Sequence, residues 1–168
     1  MSDIQQAQAA YQDFTGLFES IILSTANEEG EPNASYAPFV EDEIKNFYIF
    51  VSGLSTHTLN LSTTGKGSVM FIEDESQSKQ IFARRRLTFD CSAELITRET
   101  EEWNKLADLF EKRFGELINI FRSLPDFRIF KLTPREGKFV VGFGAAYKIN
   151  GDDLSKLTHI KGGGHGSK

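Results

Sequence analysis

The chain has 168 residues, which is the usual length of a single domain with one hydrophobic core. Its composition, with 39% hydrophobic and 26% charged residues, is that of an ordinary globular protein and argues against a disordered or membrane-spanning chain. The net charge of −5 argues against a general nucleic-acid-binding protein, because phosphate binding depends on clustered lysines and arginines.

The cysteine content and the first residues predict a cytoplasmic protein. The single cysteine, Cys91, cannot form an internal disulfide, and its place in a strand-like segment indicates a small buried residue rather than a nucleophile. Residues 1–12 contain neither lysine nor arginine, so we expect no secretory signal there. The apolar runs are only as long as strands, and we therefore expect no membrane association.

The first half of the chain predicts a helix, three strands and a second helix. Apolar side chains recur at helical spacing in residues 3–18, where Asp3 is able to cap the helix. A polar turn with Gly30 and Pro32 separates two extended segments, which predicts a hairpin. The predicted elements are a helix at 3–18, strands at 20–25, 34–41 and 46–52, and a helix at 54–63.

The second half predicts further strands around a helical region. An apolar stripe runs along residues 99–124, and Gly115 divides this region into two helices. The turn-forming sequence Pro134-Arg135-Glu136-Gly137 separates two apolar segments and predicts a final hairpin. The predicted strands of this half are 66–73, 81–96, 127–132 and 138–143.

About six or seven mainly antiparallel strands with flanking helices indicate a small β-barrel of the α+β class. The sequence Gly142-Phe143-Gly144 is too short for a dinucleotide-binding motif and predicts a bend at a barrel corner. No repeat or internal linker divides the chain. We therefore predict one barrel domain over residues 1–150, followed by a ligand-binding tail over residues 151–168 that contains glycine, lysine and histidine.

The last residues, Gly162-Gly163-Gly164-His165-Gly166-Ser167-Lys168, place one histidine among glycines. Glycine is costly to order, so such a segment stays loose unless a partner orders it. His165 is therefore either a metal ligand or part of a solvated terminal segment. The tail alone does not distinguish these interpretations.

Three consecutive arginines, Arg84, Arg85 and Arg86, lie in the predicted strand 81–96. Strand alternation would direct Arg84 and Arg86 to one face and Arg85 to the other. One interpretation is a solvated strand face that pairs with nearby acids such as Asp74 and Glu75. The other is recognition of an anion such as a flavin phosphate or a porphyrin propionate, since arginine binds both bidentately.

Three further residues are candidate site residues. His57 follows Ser55-Thr56 at a predicted helix start, where it either makes a local hydrogen bond or helps to hold an anion. Asp126 comes directly before a predicted strand, and its ordinary role there is capping. If His165 binds a metal, a nearby carboxylate such as Asp126 could orient its ring. His159, between Lys156 and Lys161, is a weaker candidate.

Several segments together resemble the bacterial haem-utilisation proteins of the HutZ and HugZ family, from about residue 20 to the C-terminus. The arginine triplet together with the glycine-rich tail is the specific part, whereas the first hairpin is shared with the wider pyridoxamine-phosphate-oxidase-like split barrels. The segments that carry the resemblance are Ser35-Tyr36-Ala37-Pro38-Phe39, Val51-Ser52-Gly53-Leu54-Ser55-Thr56-His57-Thr58-Leu59-Asn60, Phe71-Ile72-Glu73-Asp74, Ala83-Arg84-Arg85-Arg86-Leu87-Thr88-Phe89, Gly142-Phe143-Gly144-Ala145-Ala146-Tyr147 and the tail.

This resemblance implies a homodimeric split barrel that binds haem at the subunit interface and degrades it with oxygen and a reductant, releasing iron. His165 would be the proximal iron ligand, with Asp126 of the other subunit as its hydrogen-bonding partner. Arg86 would lie near the haem, with Arg84 as the next choice, and His57 matches a histidine of the family. Asp126 and Arg86 are thus the predicted catalytic residues. The sequence identifies neither a haem donor nor an electron donor.

Two alternatives to a haem-degrading oxygenase stay open. A haem storage or delivery protein would use the same residues without turnover. An FMN-dependent oxidoreductase would follow the flavin-dependent split barrels, but this chain offers no phosphate-binding cluster beyond Ser52, Thr56 and the arginines. FMN binding is therefore doubtful.

Overall fold

The computed structural model describes residues 1–160, which form eight strands and four α-helices. Three short 3-10 turns are Thr15–Leu17, Glu75–Gln77 and Ile81–Ala83. The helices are α1 (Asp3–Phe14), α2 (Thr56–Thr64), α3 (Glu101–Phe114) and α4 (Leu117–Ser123). The strands are β1 (Ser20–Ala26), β2 (Pro32–Glu41), β3 (Phe47–Ser52), β4 (Lys66–Ile72), β5 (Arg86–Ile96), β6 (Phe127–Gly142), β7 (Ala145–Asn150) and β8 (Asp153–His159).

The first six strands form a closed antiparallel barrel. Its strand order is β3-β2-β1-β4-β5-β6, and pairing between β3 and β6 completes the ring. Strands β7 and β8 extend the sheet beyond β6. Closure leaves the six barrel strands without free edges. The predicted α+β split barrel is confirmed.

Strand β6 is a single 16-residue strand, so the predicted hairpin across Pro134 and Gly137 is wrong. The first part of β6 pairs with β3, its last part pairs with β7, and β5 follows nearly its whole length. The register of β5 and β6 shifts at Asp90 and Cys91, where Arg135 is the extra residue of a bulge. A bulge tolerates a proline and bends the strand, so the turn-like composition here marks a barrel corner.

The sheet also continues past the expected end of the barrel domain at residue 150. Strand β8 pairs with β7, from Asp153 opposite Asn150 to His159 opposite Tyr147. The sequence Gly142-Phe143-Gly144 forms the tight turn between β6 and β7, with Gly144 at φ 67°, rather than a corner bend. The predicted ligand His165 lies outside the described residues.

The core has two parts because β3 is buried on both faces. Phe47, Ile49 and Val51 point into the barrel, which α1 closes with Tyr11 and other apolar side chains. The alternate residues of β3 point outward and are covered by α3 and α4. This arrangement explains why the predicted strand is a continuous apolar run rather than an alternating one. The outward-facing side chains of β3 are Tyr48 and Phe50, which pack with Trp103, Phe110 and Ile118 of the helices.

The helix ends follow local sequence signals. The Thr100 hydroxyl accepts a hydrogen bond from the Trp103 N–H at 3.2 Å and caps α3, as expected for a threonine before a helix. Gly115, with φ 88°, ends α3 and confirms the predicted division of the helical region. Within residues 1–160, no helix is both long and apolar enough to cross a membrane.

Candidate functional site

The arginine triplet is anchored by Glu73, at the end of β4. The Arg85 N–H donates to Glu73 Oε1 at 2.7 Å, and Arg85 Nε donates to Oε2 at 3.0 Å. Arg84 Nε donates to the Glu73 carbonyl oxygen at 3.0 Å, and Glu75 lies 3.6 Å from the Arg84 guanidinium. Glu75 is thus confirmed as a partner, whereas Asp74 accepts hydrogen bonds from Ser76.

The Glu73 carboxylate stays ionised to low pH. Burial alone would raise its pKa, but the Arg85 N–H, the Arg85 guanidinium and the charge of Arg84 lower it further than burial raises it. The Glu73 side chain is only 10% exposed, so its bonds to Arg85 are partly shielded from solvent. Near neutral pH the Glu73 carboxylate is therefore negatively charged and in contact with Arg85.

The three arginines do not share one strand, because β5 begins only at Arg86. Residues 81–83 form a 3-10 turn, so strand alternation does not place Arg84 and Arg86 on a common face. Arg86 donates to the Arg84 carbonyl at 3.0 Å. In residues 1–160, Arg84 and Arg85 each pair with a glutamate, but Arg86 forms no ion pair. Arg86 is thus the cation of the triplet left for an external anion.

Two cavities and exposed aromatic rings lie at this end of the barrel, and Arg85 is the arginine that lines both cavities. Phe82 is 84% exposed and Phe143, in the turn between β6 and β7, is 74% exposed. A cavity of about 450 Å³ and another of about 390 Å³ share Arg85, Val141 and Phe143 in their linings. His159 also lines the larger of these two. This end of the barrel combines positive charge with apolar surface, as a flat aromatic anion requires.

Asp126 lies in a different part of the fold, directly before β6 and beside the end of β3. Ser52 Oγ donates to Asp126 Oδ2 at 3.2 Å. A Cβ at Gly53 would lie 2.6 Å from the Asp126 carbonyl oxygen, so only glycine allows this approach. The side chain is half-buried, and its position before a strand is as predicted.

His57 lies in the first turn of α2, close in sequence to the same β3 end. Its Nδ1 is 2.9 Å from Ser35 Oγ of β2, so the hydrogen bond of His57 is a contact between elements rather than the local bond that the sequence suggested. Among the described residues, its buried Nε2 has no hydrogen-bond partner. Burial lowers the pKa of His57, so the ring is neutral at physiological pH. A neutral ring with a free nitrogen can accept or donate one further hydrogen bond.

The structure does not bring the arginines and Asp126 together within one chain. Arg86 pairs with Val140 near the end of β6, whereas Asp126 precedes Phe127 at its beginning. Residue Ile160, where the described chain ends, donates its N–H to the Ala146 carbonyl at 3.1 Å. Since Ala146 pairs with Val140, the chain leaves the sheet at the arginine end.

The sequence pattern does not single out Glu73, because its neighbours Asp74 and Glu75 are the acids that it suggests as partners of the arginines. The pairing of Ile72 with Arg86 places Glu73 opposite Arg85, so a correct strand register would have revealed it. A further cavity of about 870 Å³ lies elsewhere, between the β1–β2 turn and the β6 bulge, and contains no predicted site residue.

Comparison with known proteins agrees with this architecture. Residues 7–141 match the family model described as pyridoxamine 5′-phosphate oxidase. A curated relative, the haem oxygenase HutZ of Vibrio cholerae, is 41% identical over 145 residues, which cover 86% of this chain and 82% of that protein.

Two solved structures show the same fold. A structure of Vibrio cholerae HutZ, described as a haem storage protein, is 34% identical with a TM-score of 0.73, covering 84% of this chain and 97% of that one. Campylobacter jejuni ChuZ is 33% identical with a TM-score of 0.85, covering 100% of this chain and 68% of that one. The chain therefore belongs to the pyridoxamine 5′-phosphate oxidase family and, within it, to the group that includes HutZ.

Proposed function

We propose that this protein binds haem for iron utilisation and degrades it oxidatively, acting in the cytoplasm as a homodimer. The relation to HutZ, named a haem oxygenase, supports this function. The single observation that carries it is the arginine end of the barrel, where Arg86 has no acidic partner in residues 1–160. Haem is a flat apolar ring with carboxylate substituents, so an arginine without an acidic partner at the same end of the barrel as exposed aromatic rings suits it.

In this proposal each predicted residue has a distinct role. His165, in the tail after Ile160, is the proximal iron ligand, and Asp126 accepts a hydrogen bond from its other ring nitrogen. Arg86 donates hydrogen bonds to an anionic group at the haem, and Arg84 is the second cation nearby. His57 is a further haem-binding residue in this proposal, and its Nε2, buried and without a partner in residues 1–160, must be uncovered to reach the ligand. Bound haem supplies the redox chemistry with dioxygen and an external reductant.

Chain geometry supports a site shared between two subunits. His165 is five residues beyond Ile160, so its backbone reaches at most ~17 Å from there. Phe127 and Val140 lie near opposite ends of β6, separated by ~43 Å of strand as measured along the chain, and the bulge at Arg135 shortens the direct path. His165 therefore meets the Asp126 of a second copy more readily than that of its own chain.

An exposed apolar row on the barrel supports such a dimer. Ile22 of β1 pairs with Tyr36 of β2 on one side and with Met70 of β4 on the other. Tyr36 is 69% exposed and Ile22 is 40% exposed, although both lie in a barrel strand. Adjacent exposed apolar side chains of this kind mark an interaction surface. We assign this row to the contact with the second copy.

Storage of haem without turnover is the second candidate function, because the solved Vibrio cholerae HutZ is described as a haem storage protein. The two functions use the same binding site, and they differ only in the fate of the haem once it is reduced. Incubation of the haem complex with ascorbate, oxygen and catalase separates them. Loss of the Soret band with release of iron supports degradation, whereas an unchanged spectrum supports storage.

An FMN-dependent function has less support. The hydroxyl of Ser52, a candidate phosphate ligand, donates to the Asp126 carboxylate instead. That negative charge near the start of α2 would repel a flavin phosphate. Arg84 and Arg85 are likewise paired with glutamates.

Hemin titration tests the proposed function. We expect the wild type to develop a saturable Soret band at about one haem per subunit. His165→Ala should lose this band, because it removes the proximal ligand. The comparison variant is His159→Ala, which removes a histidine of the adjoining cavity that does not bind the iron in this proposal and should therefore keep the Soret band. Equal binding by wild type and His165→Ala would contradict the ligand assignment.

A further inference from the structure

We propose that Glu73 is a positioning residue that fixes the arginine segment and leaves Arg86 as the arginine available to the ligand. This inference rests on the proposed function, in which Arg86 contacts haem. Glu73 itself does not touch the ligand in this proposal. It acts by holding Arg84 and Arg85 in place.

Glu73 binds the chain before β5 through its backbone and its side chain together. Its N–H donates to the Arg85 carbonyl at 3.0 Å, and its carbonyl accepts from Arg84 Nε at 3.0 Å. Its carboxylate accepts from the Arg85 N–H and from Arg85 Nε. Glu73 precedes the loop formed by residues 74–84, and its hydrogen bonds to Arg84 and Arg85 tie the end of this loop to its beginning.

Within residues 1–160 this loop has few other contacts, apart from the approach of the 3-10 turn Ile81–Ala83 to β6. None of residues 74–86 is buried, and Ile81 and Phe82 are among the exposed apolar side chains. The hydrogen bonds of Asp74 stay within the loop, since they go to Ser76. Packing therefore contributes little order here, and the position of the loop depends on its hydrogen bonds and charges. The Glu73 carboxylate makes the best shielded of these contacts.

Glu73 also determines which arginine of the triplet lacks an acidic partner. Its carboxylate neutralises Arg85, and the exposed Glu75 lies 3.6 Å from Arg84. Arg86 follows as the first residue of β5, where pairing with Ile72 and Val140 fixes its backbone. Without the Glu73 carboxylate, Arg85 becomes a second cation without an acidic partner beside Arg86. The segment also loses the hydrogen bonds that hold Arg85 in place.

Limited trypsin digestion tests the anchoring directly, because Lys79, Arg84, Arg85 and Arg86 are cleavage sites within or beside the loop. We expect the ligand-free wild type to resist cleavage there and Glu73→Ala to be cut at least ~10-fold faster, since local opening sets the rate. Glu75→Ala is the matched control, because it removes a 74% exposed acid of the same loop, and it should resemble the wild type. Mass spectrometry identifies the cut sites.

A double-mutant cycle tests the link to Arg86. We expect Arg86→Ala to weaken hemin binding by ~10-fold, the effect of one charge-assisted hydrogen bond, and Glu73→Ala to weaken it by a similar factor. If Glu73 acts through Arg86, the double variant binds hemin no more weakly than Arg86→Ala alone. Glu73→Gln, which keeps an acceptor for the Arg85 N–H, should recover part of the loss and also serves if Glu73→Ala does not fold.

The outcomes separate this inference from the proposed function. Equal trypsin sensitivity of the Glu73 and Glu75 variants, or additive effects of the Glu73 and Arg86 substitutions on hemin binding, would overturn the positioning role. Failure of the wild type to bind hemin would overturn the proposed function and the haem contact of Arg86 with it. Trypsin digestion would then still decide whether Glu73 holds the loop.

Discussion

At the scale of single residues, Asp126 shows how a functional side chain is oriented by its neighbours. Ser52 Oγ donates to one carboxylate oxygen, Oδ2, and among the described residues no hydrogen bond is made to Oδ1. The close approach of Gly53 to the Asp126 carbonyl fixes the backbone at the same point. The carboxylate is thus held from one side and open on the other. A histidine ring could use the open oxygen.

Asp126→Asn should bind hemin nearly as well as the wild type but degrade it ~10-fold or more slowly. The amide keeps the shape of the side chain and an acceptor for Ser52, but it removes the charge that strengthens donation by a hydrogen-bonded imidazole. Binding is measured from the Soret band, and turnover from its loss with ascorbate, oxygen and catalase. Asp152→Asn, at an exposed turn, is the control. Turnover equal to that of the wild type would exclude Asp126 as the partner of His165.

At the scale of elements, β6 connects the two ends of the molecule and depends on one close contact. A Cβ at Gly137 would lie 2.5 Å from the ring of Phe89, which is fully buried in the barrel. The neighbouring bulge at Arg135 supplies the bend that brings the strand so close. Gly137 is therefore needed for packing rather than for a turn.

Gly137→Ala should destabilise the fold by ~1–3 kcal/mol, because the added methyl group displaces a core ring. Gly142→Ala is the matched control in the same strand, since no atom lies within 4 Å of a Cβ there. Urea denaturation followed by tryptophan fluorescence gives both free energies of unfolding. A Gly137→Ala protein as stable as the control would show that Phe89 can move aside without cost.

The turn between β2 and β3 is organised by Asp42. Its carboxylate accepts hydrogen bonds from the backbone of Ile44 and Asn46, from the Asn46 amide and from the Tyr48 hydroxyl. Burial alone would raise the pKa of Asp42, but these bonds lower it below its ordinary value near 3.8. The Asp42 carboxylate that organises this turn is therefore ionised throughout the physiological pH range.

Asp42 should make the stability of the fold depend on acid pH. Because the folded pKa lies below the unfolded one, its contribution is complete above the unfolded pKa and is lost as pH falls through the folded pKa. We expect Asp42→Asn to be less stable than the wild type by a constant amount at about pH 5–7, and the difference to shrink below about pH 4. Denaturation at several pH values measures this, with Glu43→Gln, an exposed acid of the same turn, as control. A difference that does not change with pH would assign the effect to shape alone.

At the scale of the whole molecule, the proposed site is completed only by a second subunit. The arginines and Ile160, where the described chain ends, lie at one end of β6, and Asp126 lies at the other. The row formed by the exposed Ile22 and Tyr36 and the half-buried Met70 offers a surface for the second copy. Assembly and haem ligation are therefore coupled in the proposal.

Tyr36→Asp should shift the protein from dimer to monomer and weaken hemin binding by at least ~10-fold, because it places a charge in an apolar interface. Leu109→Asp, on the exposed face of α3 at 48% exposure, is the control and should stay dimeric. Sedimentation velocity gives the assembly state, and hemin titration gives the affinity. A monomeric wild type that still binds hemin through His165 would contradict the shared site.

Much of the fold could be predicted from local patterns. The helix at the N-terminus, the division at Gly115 and five of the six barrel strands follow from spacing and from turn residues close in sequence. Prediction failed where a local signal served a distant contact: Pro134 and Gly137 indicated a turn, but their role is set by Asp90, Cys91 and Phe89 across the sheet. Strand β8 is hard to recognise from the sequence, because Leu157 is its one buried residue and its side chains show no clear alternation of apolar and polar positions.

The amino-acid sequence supplies the side chains that are available for chemistry: the arginine triplet, Asp126, His57 and the histidine of the glycine-rich tail. Which of these side chains lie together, and which have an acidic partner, follows from the fold. Strand register places Glu73 opposite Arg85, and within residues 1–160 Arg86 has no acidic partner. The length of β6 separates the arginines from Asp126. Charges and hydrogen bonds act over a few ångströms, so their partners depend on which strands the closed barrel brings side by side.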